Sequence, residues 1–210
     1  MERLTKEMSK SEIEKEISKW GDYVKIDNLN RFLKINPNLP FDVKKFVYQK
    51  LAAIYEGRRM FADAAQCYEK MILLEQLQEE KLKKRITACE MYIKAEMFDK
   101  ADGLSRNIME KLSAAQKNEI NNAVINFYKT EAKECLAGRR SKAVKIYEKM
   151  LVMDIIPANE KEAIKEALLK LYLDIGKMIE YNNLKNRIFK KAIPKEEVEE
   201  EVEGLEFLYR

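Results

Sequence analysis

At 210 residues, 46% hydrophobic and 36% charged, with only six glycines and four prolines, the chain has few breakers and favours helix throughout. The absence of histidine excludes His-based metal sites, Ser-His triads and imidazole proton shuttles. Three widely separated cysteines, Cys67, Cys89 and Cys135, fit neither a disulfide framework nor a zinc site and read as small buried residues.

No apolar run approaches the roughly 20 residues needed to cross a bilayer. The first stretch, MERLTKEMSKSEIEKEISKW, lacks an apolar signal core, so the expected location is cytoplasmic. Charge is unevenly divided. Residues 191–210 hold seven Glu against two Lys and one Arg, a net of −4, which leaves +8 on residues 1–190 of a chain that totals +4. The positive charge of the body is interspersed with Glu and Asp, which weakens the case for a dedicated phosphate surface.

In chain order, Ser9 or Ser11 can cap a first helix, with Glu12 and Glu14 in its first turn and Ile13, Ile17 and Trp20 as its stripe. Gly21-Asp22 breaks it. Tyr23, Ile26, Leu29, Phe32 and Leu33 supply the next helix, which stops at Asn36-Pro37-Asn38-Leu39-Pro40 because proline cannot continue the ladder. From Asp42 to Leu74 two amphipathic helices follow, with Tyr48, Leu51, Ala52 and Tyr55 on one and Phe61, Ala64, Ala65, Tyr68 and Met71 on the other. A polar break, Glu56-Gly57-Arg58-Arg59, separates them.

The second of these helices ends near Glu75–Glu79. Leu82, Ile86, Ala88, Cys89, Tyr92 and Ile93 mark the next helix, and Phe98, Ala101, Leu104, Ile108 and Leu112 its partner. Ser113 caps a helix expected to pass twenty residues and to end at Gly138. Ala143, Val144, Tyr147, Met150 and Leu151 form the following one. Beyond Pro157, one helix carries Ile164, Leu168, Leu171 and Tyr172 and ends near Gly176, and the next carries Ile179, Leu184, Ile188 and Phe189. No alternating apolar–polar run with the turns of a strand occurs. The expectation is all-α, about ten helices, in pairs over about 9–35, 42–75, 79–112, 114–153 and 159–190, followed by an acidic tail over 191–210.

The pairs are self-similar. Phe61-x2-Ala64-x3-Tyr68 has counterparts at Phe98-x2-Ala101, at Ala143-x3-Tyr147 and, more weakly, at Met178-x2-Tyr181. The steps between these positions are 37, 42 and 38 residues, a period near 38 with two helices per copy.

Tyr48, Leu51, Ala52, Tyr55, Phe61, Ala64 and Tyr68 resemble the pattern of the tetratricopeptide-repeat family. Cys89, Tyr92, Phe98 and Ala101 keep part of it, as do Phe127, Gly138, Ala143 and Tyr147, and Leu168, Tyr172 and Gly176. In the third copy Glu131 and Glu134 stand at small and aromatic places. The resemblance implies a right-handed superhelical stack of antiparallel helix pairs, an α-solenoid, over residues 1–190. It also implies a non-catalytic scaffold that binds a peptide or helix in its groove.

The groove positions the resemblance implies are Phe46, Gln49 and Ala53, then Lys83, Ile86, Glu90 and Lys94, then Ile125, Tyr128 and Ala132, then Ala163, Glu166 and Lys170. An apolar strip of Phe46, Ile86, Ile125 and Tyr128 rimmed by Lys and Glu suits an amphipathic helix or a hydrophobic peptide. The family's carboxylate clamp is not present as a set, since its places hold Gln49, Ala53, Thr87 and Lys129.

The tail ends in Leu205, Phe207, Leu208 and Tyr209, whose full burial is worth about 1.5–3 kcal/mol each. It can cap the last pair, dock in the groove of its own chain, or bind a partner. No phosphate loop, nucleophile elbow or carboxylate–histidine set points to an enzyme or a cofactor. The alternative is RNA binding through basic inter-helix turns, with Arg58, Arg59, Arg139 and Arg140 as contacts. A homo-oligomer through incomplete end caps is a further possibility of repeat architecture.

Overall fold

A computed structural model of the chain describes residues 4–109 and 112–192. Its ordered elements are ten α-helices, with no strand among the described residues. They are α1 Lys10–Ile17, α2 Asp22–Ile35, α3 Phe41–Gly57, α4 Phe61–Leu74, α5 Gln78–Lys94, α6 Phe98–Met109, α7 Ala114–Leu136, α8 Arg140–Val152, α9 Ala158–Asp174 and α10 Met178–Ala192. The chain packs as two compact units, Met1–Glu131 and Ala132–Arg210, and the division falls inside α7. In the first unit α3 packs on α2 and α4, and α5 on α4 and α6; in the second, α9 packs on α8 and α10.

Helix starts follow local chemistry. Ser9 and Glu12 form a capping box: Ser9 Oγ accepts from the Glu12 N–H at 3.3 Å, and Glu12 accepts from the Ser9 N–H at 2.7 Å. Ser113 and Gln116 repeat the arrangement ahead of α7, at 3.4 and 3.1 Å. Pro40 and Pro157 precede α3 and α9, where a residue without an N–H costs the helix nothing. α1 is shorter than its apolar stripe suggests, because the N–H groups of Lys19 and Trp20 bond three residues back and the helix tightens into a turn. Between α4 and α5, with neither glycine nor proline, Glu75 holds the turn. Its carboxylate takes Lys45 Nζ at 2.8 Å and the Gln76 N–H at 3.2 Å.

Small residues let the helices approach. Ala52, Ala64, Ala65, Ala88, Cys89 and Ala101 are all buried at helix contacts, where a larger side chain would push the axes apart. The cavities between pairs are filled by Leu51, Met71, Tyr92 and Ile93, each essentially inaccessible.

Three of the turns inside helix pairs share one geometry. At α3–α4 the Met60 N–H reaches the Tyr55 carbonyl at 2.8 Å, and the Arg59 N–H reaches Glu56 at 3.0 Å. At α5–α6 Met97 reaches Tyr92 at 2.9 Å and Glu96 reaches Ile93 at 3.1 Å. At α9–α10 Lys177 reaches Tyr172 at 2.8 Å and Gly176 reaches Leu173 at 3.1 Å. These are Schellman turns, which need one left-handed residue just past the helix. That residue is Arg59 (φ 58°), Glu96 (φ 60°) and Gly176 (φ 74°). Gly57 is therefore not the breaker of α3; it is the last residue of the helix.

The same three tyrosines tie each pair to the helix before it. Asn30 Nδ2 donates to Tyr55 Oη at 3.0 Å, Tyr92 Oη donates to Glu69 at 2.9 Å, and Tyr172 Oη donates to Glu148 at 2.7 Å. Asn30, Glu69 and Glu148 are each the ninth residue of their helix, α2, α4 and α8. Burial, and then the carboxylate bond itself, raise the Tyr92 and Tyr172 hydroxyls well above their ordinary range, so both stay donors. Tyr128 in α7 differs. It is fully buried with its ring 5.8 Å from that of Phe98, and its hydroxyl has no hydrogen-bond partner among the described residues.

Two stability predictions follow from these turns and hydroxyls. Arg59→Gly should raise the unfolding free energy by about 1 kcal/mol, because glycine removes the left-handed strain. Gly176→Ala should lower it by a similar amount, although an added Cβ meets nothing within 4 Å. Urea denaturation of the full chain measures both. In the same assay Tyr92→Phe should lose about 1–2 kcal/mol while Tyr128→Phe loses nothing or gains, since only the first removes a made bond.

Candidate functional site

The geometry of the turns fixes which face of each first helix is open. In α3 the buried series is Val47, Leu51, Ala52 and Tyr55, so Gln49 and Ala53 are exposed and Phe46 is half-buried. Lys50 Nζ sits 5.2 Å above the Phe46 ring and also pairs with Glu14 of α1. In α5 the buried series is Ala88, Cys89, Met91, Tyr92 and Ile93, leaving Lys83 exposed and Ile86 and Glu90 half-buried. Lys83 bonds Glu80 at 2.9 Å and Glu79 at 3.1 Å, and Lys94 bonds Glu90 at 2.7 Å. The charges on this face thus meet their opposites on the same helix. The solvent around the Lys83 pairs screens them, so an incoming charged group exchanges with them at little cost.

The third copy requires a correction. The α7–α8 turn closes on Cys135, whose carbonyl accepts from Arg139 at 2.8 Å and Gly138 at 3.3 Å, and Gly138 does not take a positive φ. The bond that closes it reaches back four residues where the other three reach back five, so Cys135 stands where they have tyrosine. Tyr128, Ala132 and Cys135, all 0% exposed, then repeat Tyr48, Ala52 and Tyr55. Counting back from Ala143 places the register one residue away, and one residue turns a helix face by about 100°. Ile125 and Tyr128, expected on the open face, are buried at 7% and 0%, and so is Ala132. Asn126, Lys129 and Lys133 are the exposed residues at the equivalent places. In α9, Ala163, Glu166 and Lys170 are exposed as expected.

The open face of α3 borders a cleft of about 430 Å3 formed with α1 and α2. Ile17, Ala53 and Ile54 give it an apolar lining, and Glu14, Lys50, Asp22 and Lys25 stand around it. Lys50 pairs with Glu14, and Lys25 lies 3.7 Å from Asp22. Of the sequence-expected residues only Ala53 reaches this cleft. Ile17 and Glu14 escaped notice because α1 was read as a stripe without a groove position. Their signal was the two-turn helix capped by Ser9.

The basic turns are engaged differently from one another. Arg58 Nε bonds Asp22 at 3.0 Å, and its guanidinium lies 4.6 Å over the Tyr23 ring, so it fastens the α3–α4 turn to α2. Arg59 holds the left-handed position, while Arg139 precedes α8 and Arg140 is its first residue. The tail residues Leu205, Phe207, Leu208 and Tyr209 lie outside the described residues.

Cys67, Cys89 and Cys135 are buried and none is in a disulfide among the described residues. Burial, and secondarily the nearby Asp63 or Asp102, pushes the thiols of Cys67 and Cys89 up to about 12. Among the described residues, no group of three or more Cys, Asp or Glu is arranged to hold a metal ion. No helix there is long and apolar enough to cross a membrane.

The chain matches no protein-family profile, no curated protein and no solved structure.

The raised thiols yield a direct check. At pH 8 a thiol at about 12 has roughly a thousandth of the thiolate of an unperturbed one. Native protein should therefore react with a thiol-specific chromogen at Cys67 and Cys89 at least about a hundred-fold more slowly than in denaturant. Fast native labelling of either, mapped by peptide mass spectrometry, would contradict the burial described.

Proposed function

We propose that the chain is a non-catalytic scaffold of the tetratricopeptide type, a right-handed solenoid of helix pairs. The open faces of its first helices bind an amphipathic helix or short peptide. The observation that carries this reading is the cleft between α1 and α3, with Ile17, Ala53 and Ile54 inside and the exchangeable pair Lys50–Glu14 beside it. An apolar anchor flanked by charges of both signs is what an amphipathic helix presents. The recurring Schellman turns and tyrosine ties support repeat architecture, because they reproduce the same contact in successive pairs rather than a single bundle core. The partner is thus a protein segment with alternating apolar and charged residues, bound without chemistry.

Display selection of peptides on the full chain tests the reading. Selected peptides should lose at least about ten-fold in affinity on Ala53→Arg, which blocks the cleft at an exposed helical position with the fold retained. They should bind the matching α9 variant, Ala163→Arg, as they bind wild type. Equal binding to both variants would place the site elsewhere. Steeply salt-dependent binding of a generic RNA, with no peptide selected, would replace this reading by the nucleic-acid one.

A further inference from the structure

α4, α5 and α6 line a second cleft, of about 460 Å3, which shares no residue with the one beside α1. Leu73 and Leu104 give it an apolar centre, and Leu73 is 78% exposed. Lys70, Arg85 and Lys100 stand around them. Lys70 lies three residues before Leu73 and Lys100 four before Leu104, so each lysine shares a helix face with its leucine.

These cations differ from their neighbours. Lys83 and Lys94 of α5 meet Glu80 and Glu90 at 2.9 and 2.7 Å, whereas Arg85 between them has no ion pair among the described residues. Lys70 has none there either, and Lys100 makes a ring contact instead, its Nζ 5.3 Å from the centre of the Tyr92 ring. The carboxylate that lines the cleft, Glu69, already accepts from the Tyr92 hydroxyl at 2.9 Å.

The helical frame does not require this charge. In α8, Glu148 accepts the tying hydroxyl as Glu69 does, Lys149 follows it as Lys70 does, and Val152, 71% exposed, stands where Leu73 stands. Counted from the tying tyrosine, Lys165 matches Arg85 but bonds Glu162 at 2.5 Å. Glu180 matches Lys100 and bonds Lys177 at 3.2 Å. The charges at the α8 copy are therefore matched, and those at the α4 copy are not.

We propose that the α4–α6 cleft is a docking site for an acidic amphipathic segment of a partner protein. An apolar side chain of that segment lies against Leu73 and Leu104, and its carboxylates meet Lys70, Arg85 and Lys100. Charge complementarity selects this occupant, because cations with no carboxylate of their own gain most from one that arrives with the partner. The apolar centre favours a peptide over nucleic acid, since a phosphate backbone has nothing to place on leucine. Among the described residues no aromatic ring lines the cleft to stack a base. The inference is independent of the peptide proposed for the α1–α3 cleft, whose flanking charges are of both signs.

Fluorescence anisotropy on the full chain tests it, with a labelled helical peptide carrying Leu at i, i+3, i+4 and i+7 and Glu at the flanking places. A matched peptide with Gln for Glu is the control. The Glu peptide should saturate and bind at least about ten-fold more tightly than the Gln peptide, with affinity falling as salt rises. Leu73→Glu, and Lys70→Glu combined with Lys100→Glu, all at exposed positions, should each weaken it at least about ten-fold. Val152→Glu and Ala53→Arg should bind it as wild type does. No saturable binding, or equal affinity for the two peptides, would overturn the proposal, and so would an equal loss on Val152→Glu. A loss on Ala53→Arg alone would overturn it by placing the peptide in the α1–α3 cleft. Generic RNA that binds in place of the peptide and is lost on Lys70→Glu with Lys100→Glu would give the cleft to nucleic acid. A wild-type dimer dissociated by Leu73→Glu would give it to a second copy, and either result overturns the proposal.

Discussion

The constraint on which the arrangement depends is carried by one tyrosine in each of three helix pairs. Tyr55, Tyr92 and Tyr172 sit at the same distance from the end of their helix and act at both ends of the side chain and backbone. Their carbonyls close the turn to the next helix, and their hydroxyls reach back to the preceding one. A tight turn alone would fix the two helices of a pair but leave the pair free to slide on its neighbour. A hydroxyl bond to one particular residue fixes register along the axis, which apolar packing of Leu, Ala and Met does weakly. The carboxylate acceptors Glu69 and Glu148 sit within partly buried surroundings, where such a bond gains strength from poor competition by water.

The places where this device is absent are informative. By the turn geometry, the position of the tyrosine in α7 is Cys135, and the ninth residue of α6 is Arg106. Neither can reproduce the tyrosine–carboxylate bond. The division of the chain into compact units falls in the same helix, between Glu131 and Ala132. α7 is also the longest helix among the described residues, at 23 residues, and the bond that closes its turn reaches back four residues where the other three reach back five. Departure from the recurring turn and tie thus falls, among the described residues, at α7 and the helix before it.

Much of the secondary structure was legible because Ala64, Ala101 and Ala143 each stand three residues into a second helix and mark its start. The composition settles the absence of strands among the described residues by the same logic, since helix formers run through every segment. What escaped has physical reasons. Arg59 and Glu96 occupy left-handed positions that sequence habits assign to glycine, so the turns looked generic. In α7 the turn closes on a carbonyl one residue nearer the next helix, and that shift of register turns the buried face, which takes Tyr128 from the expected surface into the core. The cleft beside Ala53 needed α1, and an eight-residue helix with only two apolar residues, Ile13 and Ile17, gives little periodic signal.

Separating the faces explains why the open surface can vary without cost to the fold. The buried positions of a first helix use four places in three turns: in α3 these are Val47, Leu51, Ala52 and Tyr55, and in α9 Ile164, Leu168, Leu171 and Tyr172. The tyrosine that ties each pair to the helix before it lies within that set. The remaining places hold Phe46, Gln49 and Ala53 in α3, but Ala163, Glu166 and Lys170 in α9, chemistry of quite different character on the same frame. Substitution there changes neither turn nor tie. A surface built on such places is free to be shaped by whatever it contacts, and the packing residues record only the architecture. On the binding role proposed above, the residues to vary first are those that differ between α3 and α9, beginning with those that border the α1–α3 cleft.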